Sequence, residues 1–254
     1  MWPVLFRIGG YPVAAYGVFI AAAFLAGIYY LESRRGKIGL SVGQTQEWGL
    51  WVVLGSILGA KAFFVALYWK FYSGRLWLVL PEFRYGFVFY GGFLGAILVS
   101  ALFAKRRKIQ FWDLADWAAP AVALGHAIGR LACLASGCCY GRPTHLPWGI
   151  RFTDPACLVD ERWLGVPLHP TQLYESLGNL LIFLFLHFYS RKPRGRGTIF
   201  WIFVLMYSVL RSAIEVFRGD ERGSLLLGFA ASQMVAFAGG LLALGVLFWK
   251  WKKS

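Results

Sequence analysis

The residues best placed to do chemistry lie in the stretch from Ala123 to Ile150, ALGHAIGRLACLASGCCYGRPTHLPWGI. His126 and Arg130 are four residues apart, which puts them on one face of an apolar helix. The helix then meets Gly137, Cys138, Cys139, Tyr140, Gly141 and Arg142, a run that no regular helix favours. An arginine near the end of a membrane helix is expensive unless something anionic accompanies it. A second arginine, Arg211, stands between Tyr207 and Glu215 at i, i+4 and i+8, again on one face. An internal Arg211–Glu215 pair is the plain reading of that face. Two arginines at similar depth nevertheless call for more negative charge than the nearby carboxylates supply. A phosphate answers that demand, because guanidinium groups grip it with paired hydrogen bonds.

Other polar groups fall where lipid is expected. Tyr16 precedes Gly17 in the first apolar run, where an interfacial tyrosine is also common. Lys61 follows Gly55 and Gly59, and either snorkels or meets a headgroup. Tyr90, Gly91 and Gly92 open another run, and the paired glycines allow a backbone or a lipid headgroup to approach closely. Asp113 fits a helix start, and Asp116 is a candidate partner for a buried arginine. Glu175, one turn past Pro170 and Thr171, is costly unless paired. Cys133, Cys138 and Cys139 with His126 or His145 make a crude cluster whose spacing is not that of the usual zinc patterns. The cysteines therefore read as small packing residues, with no metal and no cofactor expected.

The elements that must position these groups are membrane helices. The chain has 254 residues, 58% hydrophobic and 15% charged, against about 25% charged in soluble domains. Its mean hydropathy is +0.57. About seven apolar spans are expected, at roughly 12–31, 48–69, 86–104, 114–135, 171–189, 198–216 and 226–249. This is an all-α, polytopic membrane chain, with 1–254 read as one integral membrane domain. The net charge of +14 is dispersed between the spans, so it reports topology and argues against nucleic acid as a partner. Arg34, Arg35 and Lys37, then Lys105–Lys108, Arg191–Arg196 and Lys250–Lys253 alternate as one side of a membrane must. The positive-inside rule makes those groups cytoplasmic, the N-terminus external and the C-terminus cytoplasmic. The segments between the other ends mix arginine with acid: Glu82 with Arg84, then Asp154, Asp160, Glu161 and Arg162, then Arg218, Asp220, Glu221 and Arg222. The longest, about 136–170, carries Trp148, Trp163, Pro143, Pro147 and Pro155. It is expected to be an ordered, interface-hugging external loop beside Arg130.

Taken together, Tyr16-Gly17, the Gly91–Gly95 run, Gly129-Arg130 with Gly137 and Tyr140-Gly141-Arg142, His169–Glu175 and the Tyr207, Arg211, Glu215 face resemble one family. That family is the bacterial prolipoprotein diacylglyceryl transferases, and the resemblance covers nearly the whole chain. It implies an inner-membrane transferase of lipoprotein biosynthesis, with phosphatidylglycerol and a preprolipoprotein signal peptide carrying a lipobox cysteine as its partners. The diacylglyceryl group passes to the cysteine thiol as a thioether and glycerol phosphate leaves. The resemblance implies phospholipid-binding roles for Arg130 and Arg211, supported by Tyr16, Tyr207, Glu215 and Gly141, with Gly91 and Gly92 lining the substrate. This chain departs from the family pattern at Tyr90, where many members have a histidine before the glycines. It also has Cys133 for a common asparagine and Cys138 for a common glutamate. Candidate proton acceptors are thus His126, Tyr90 acting through a neighbour, and Glu215. A phenol of ordinary pKa near 10 is a poor base at neutral pH, so His126 is expected to matter more than Tyr90. A lipid-binding scaffold or a small-molecule transporter would also place charges inside spans. A transporter would usually show symmetric halves, and this chain has one asymmetric interruption, at 136–143.

Overall fold

A computed structural model of the chain describes residues 2–83, 85–219, 224–226 and 229–253. In chain order the elements are β1 (Val4–Ile8), β2 (Tyr11–Ala14), α1 (Ala15–Ser33), α2 (Val42–Leu67), α3 (Trp69–Tyr72), α4 (Phe89–Arg106), α5 (Phe111–Ser136), β3 (Ile150–Arg151), β4 (Pro167–Leu168), α6 (Thr171–Tyr189), α7 (Thr198–Glu215), β5 (Ser224–Leu226), β6 (Phe229–Ala230) and α8 (Ala231–Lys253). Each expected span is a helix, so the chain is an all-α, multi-pass membrane protein with small antiparallel hairpins at its helix ends. Among the described residues, six helices are long and apolar enough to cross a membrane on composition alone. The expected fifth span, α6, is not among them. Its first turns spend apolar positions on Thr171, Gln172, Glu175 and Asn179, all of them buried.

The boundaries move where local chemistry dictates. The first helix starts at Ala15 rather than residue 12, because Tyr11–Ala14 pairs with Val4–Ile8 as a hairpin. The second starts at Val42 rather than 48. There Ser41 accepts a hydrogen bond from the Gln44 N–H, while the Gln44 side chain accepts one from the Ser41 N–H. That reciprocal cap satisfies two otherwise orphaned donors. The residues Arg84, Asp220, Glu221 and Arg222 of the mixed-charge segments lie outside the described residues.

The chain divides into two compact units, one comprising residues 31–114 and the other residues 1–30 with 115–254. In the 31–114 unit, α2 and α4 cross so closely that Cβ atoms on Gly55, Gly59, Gly91 or Gly95 would collide with the opposite helix. The glycine stripe is thus a packing seam, the small-residue contact that membrane helices use in place of hydrophobic driving force. Lys61 is buried and neither snorkels nor faces open lipid. Its Nζ donates to the carbonyl oxygens of Glu82 and Tyr85, each at 2.9 Å, among the rings of Phe64, Phe83 and Phe87.

In the other unit, Ala119 and Ala123 of α5 pack with Ile182 and Leu186 of α6 and Ile199 of α7. Among the described residues, Asp116 does not pair with an arginine. Its carboxylate accepts from the backbone N–H groups of Gly197 at 2.6 Å and Phe200 at 2.8 Å, capping α7 from a neighbouring helix. A negative charge at a helix N-terminus is favourable, so this contact fixes α5 against α7 at the end remote from Arg130.

Candidate active site

The segment between α5 and α6 is built around its own small core of Tyr140, Phe152, Cys157, Val159 and Leu168. α5 ends because Gly137 takes a φ of +75°, a left-handed conformation that glycine adopts without steric cost. A Cβ there would also meet Cys157 Cβ at 2.8 Å. Cys139 is left-handed too, with φ +61°, which is uncommon for a residue with a side chain. The first turn of α6 pins this bend: Thr171 Oγ1 donates to the Cys139 carbonyl at 2.7 Å and Gln172 Nε2 to the Cys138 carbonyl at 2.8 Å.

Gly141 lies at a three-way crossing of backbones. Its N–H donates to the His169 carbonyl at 3.0 Å, and the Arg142 N–H donates to Phe217 at 2.8 Å. A Cβ on Gly141 would sit 2.6 Å from the His169 oxygen and 2.8 Å from the Phe217 oxygen. Only glycine lets these strands approach so closely, and the crossing ties the α5–α6 segment to the end of α7. Trp148 Nε1 donates to the Tyr174 hydroxyl at 2.8 Å, a further link from that segment to α6.

These supports gather the charged groups of α5, α6 and α7 at one end of their unit. Arg130 Nη2 is 2.6 Å from Glu175 Oε1, and Glu175 Oε2 is 3.9 Å from Arg218 Nη1. Arg211 Nη2 is 2.5 Å from Glu215 Oε2, so the expected internal pair is present. The Glu175 side chain is only 1% exposed and that of Arg218 3%. Among the described residues, the ion pairs here join three arginines to two glutamates, one positive charge in surplus. His126 Nε2 lies 3.4 Å from Arg130 Nη2, and its ring is 5.1 Å from that of Tyr207. A guanidinium can only donate, so a hydrogen bond at this contact requires Nε2 as its acceptor. Arg130 and Arg211 both lie within electrostatic reach of His126 and Tyr207. Tyr16, at the start of α1, feels the charge of Arg130 only as a longer-range electrostatic neighbour.

The structure therefore brings together His126, Arg130, Tyr207, Arg211 and Glu215, with Gly141 as a structural pivot and Tyr16 at longer range. Tyr90, Gly91 and Gly92 belong to the other unit, at the start of α4, where the glycines are accounted for by close packing on α2. Glu175 and Arg218 complete the ion pairs of the site. Glu175 carried a signal, an acid one turn into a span, but Arg218 read as part of a polar segment beyond α7. Its burial follows from the Gly141 crossing, which folds the chain back over it.

The cysteines also surprise. The sulfurs of Cys133, Cys138 and Cys139 all lie within 4.8 Å of one another. Arg130 Nη1 approaches the Cys133 sulfur at 4.0 Å. Hydrogen bonds from the Cys133 and Cys138 thiols, with Arg218 nearby, hold Cys139 below the ordinary thiol range. Cys157 stands apart, and burial pushes its thiol up.

The family model described as prolipoprotein diacylglyceryl transferase matches residues 3–249. A protein of Clostridium tetani named phosphatidylglycerol--prolipoprotein diacylglyceryl transferase is 34% identical over 236 residues, covering 93% of this chain and 92% of the relative. Proteins of the same name from Acaryochloris marina and Geobacter sulfurreducens are 34% and 35% identical, covering 98% and 95% of this chain and 90% and 92% of the relatives.

Proposed function

The chain belongs to the prolipoprotein diacylglyceryl transferase family, and from that premise we propose how it transfers the diacylglyceryl group of phosphatidylglycerol to a prolipoprotein. The acceptor is the lipobox cysteine thiol of the preprolipoprotein, and the site opens on the external face of the bacterial inner membrane. That is the face to which the positive-inside reading assigns the Arg130, Glu175 and Arg211 ends of α5, α6 and α7. The whole chain acts as one membrane transferase domain.

The observation that carries this reading is the surplus charge of the arginine cluster. Phosphatidylglycerol brings one phosphodiester charge, which matches the single positive charge left over by Arg130, Arg211 and Arg218 against Glu175 and Glu215. In a water-poor site such a match is worth far more than at a surface. The acceptor sulfur forms a bond to the glyceryl carbon that carries the phosphate, the carbon–oxygen bond breaks, and glycerol phosphate leaves with the electron pair. Arg130 and Arg211 stabilise the charge gathering on the departing phosphate.

The thiol proton must go to a base, since the thiolate is the nucleophile. Before the donor arrives, His126 Nε2 faces Arg130 and Glu215 faces Arg211. A phosphate that takes up those guanidinium hydrogen bonds releases the imidazole nitrogen and the carboxylate. Donor binding thus readies the base, which we assign to His126 ahead of Glu215 and Tyr90. No step needs a metal or a nucleotide.

The test is chemical. Purified protein given phosphatidylglycerol and a lipobox peptide should yield a diacylglyceryl thioether and glycerol phosphate, both read by mass spectrometry. Lipid binding without thioether would favour a scaffold, and lipid movement without thioether a transporter.

A further inference from the structure

We propose that Cys133, Cys138 and Cys139 form a three-thiolate site for a soft d10 metal ion of the Cu(I) class. This departs from the expectation drawn from their spacing, which hid the cluster because a left-handed bend, not a regular element, turns the sulfurs inward. The three sulfurs lie within 4.8 Å of one another. A metal about 2.3 Å from each sulfur of a planar trigonal set places those sulfurs about 4 Å apart, so ordinary side-chain rotation closes the site. The metal-ligating group among the described residues is these three sulfurs alone, which suits three-coordinate Cu(I) better than tetrahedral zinc.

Packing alone does not explain the arrangement. Cys139 holds a φ of +61°, a conformation that a residue with a side chain rarely adopts. Thr171 and Gln172 are buried, and they spend their side-chain donors on holding the Cys139 and Cys138 carbonyls in that bend. Strain over-determined by buried hydrogen bonds marks functional positions more often than filler. Arg130, 4.0 Å from the Cys133 sulfur, and Arg218, beside Cys139, offset the charge of bound thiolates. Binding Cu(I) releases the thiol protons to solvent, and the resulting metal–thiolate unit is anionic. It lies against Arg130, so it competes with an anionic phosphate for the same guanidinium. The metal site stands without the transferase reading; only this inhibition rests on it.

Anaerobic titration of the purified full-length protein with Cu(I), against a competing chromophoric chelator, tests the site directly. One equivalent should bind per chain. Cys133→Ser, Cys138→Ser and Cys139→Ser should each weaken binding at least about tenfold, while Cys157→Ser leaves it unchanged. Equal binding by all four variants, or none by the wild type, would overturn the proposal. Because a serine variant risks misfolding, the wild type carries a second readout. One equivalent of Cu(I) should protect Cys133, Cys138 and Cys139, but not Cys157, from iodoacetamide in denaturant-free buffer, as read peptide by peptide. Unchanged alkylation of those three thiols would refute the site.

Discussion

Arg130 Nη2 lies 2.6 Å from Glu175 Oε1, so an ion pair joins the C-terminal half of α5 to the first turns of α6. Glu175 also faces Arg218 at 3.9 Å, beyond the end of α7. One buried carboxylate thereby links three segments of the site. Its value is organisational: it holds two guanidinium groups in place and leaves the cluster one negative charge short.

Glu175→Gln should therefore cost more than a surface mutation. Removing one member of a buried pair typically costs about 3–5 kcal/mol, because the remaining charge is left uncompensated. Thermal unfolding in detergent should show a clear drop in Tm for Glu175→Gln. Adding Arg218→Gln should recover part of that loss, since it removes the second stranded cation. Strictly additive losses in this double-mutant cycle would mean that the two groups are not energetically coupled.

Gly141→Ala tests the backbone crossing. The new methyl meets the carbonyl oxygens of His169 and Phe217, and backbone cannot rotate away. Overpacking of this kind costs about 1–3 kcal/mol, and here it also displaces Arg218. Yield of folded protein and thermal stability should both fall. A variant with wild-type stability would show that the crossing relaxes freely.

Much of this was legible in the sequence, and the reasons are specific. Arg211 and Glu215 are four apart on a helix, so their pairing follows from helical geometry. Helices α1, α2, α4, α5, α7 and α8 follow from apolar runs, and shifted starts from local chemistry such as the Ser41–Gln44 cap. The capping role of Asp116 is not legible in the sequence because its partner, the N-terminus of α7, is a backbone feature that no side-chain inventory reveals. The thiol cluster and buried Arg218 depend on the bend at Gly137–Cys139 and the crossing at Gly141, where side-chain directions leave any regular period. Lys61 is the same kind of case, since its partners are loop carbonyls.

The base assignment gives an ordered pair of mutants. His126 touches Arg130 and Tyr207, and an imidazole of ordinary pKa about 6.5 suits the task better than the Tyr90 phenol of ordinary pKa about 10. His126→Gln should depress initial transfer rates more than Tyr90→Phe across pH 6 to 9. If Tyr90→Phe abolishes transfer and His126→Gln leaves it near normal, the phenol carries the proton and the assignment fails.

Orientation is open to a direct check. Reporter fusions after Lys37, Lys108 and Arg196 should report cytoplasm, and fusions within 154–162 the outside. A single clear reversal among these sites would put the Arg130 cluster on the wrong face for an external thiol acceptor.

The central claim is that Arg130 and Arg211 hold the donor phosphate, and the transfer rate of lysine variants tests it most directly. Lysine keeps the charge but loses the planar fork, so Arg130→Lys and Arg211→Lys should each lose about 2–3 kcal/mol of phosphate stabilisation. Measured with purified, membrane-inserted protein, phosphatidylglycerol and a lipobox peptide, each variant should transfer diacylglyceryl roughly 30- to 150-fold more slowly than wild type. Near-normal transfer by either variant would contradict the account.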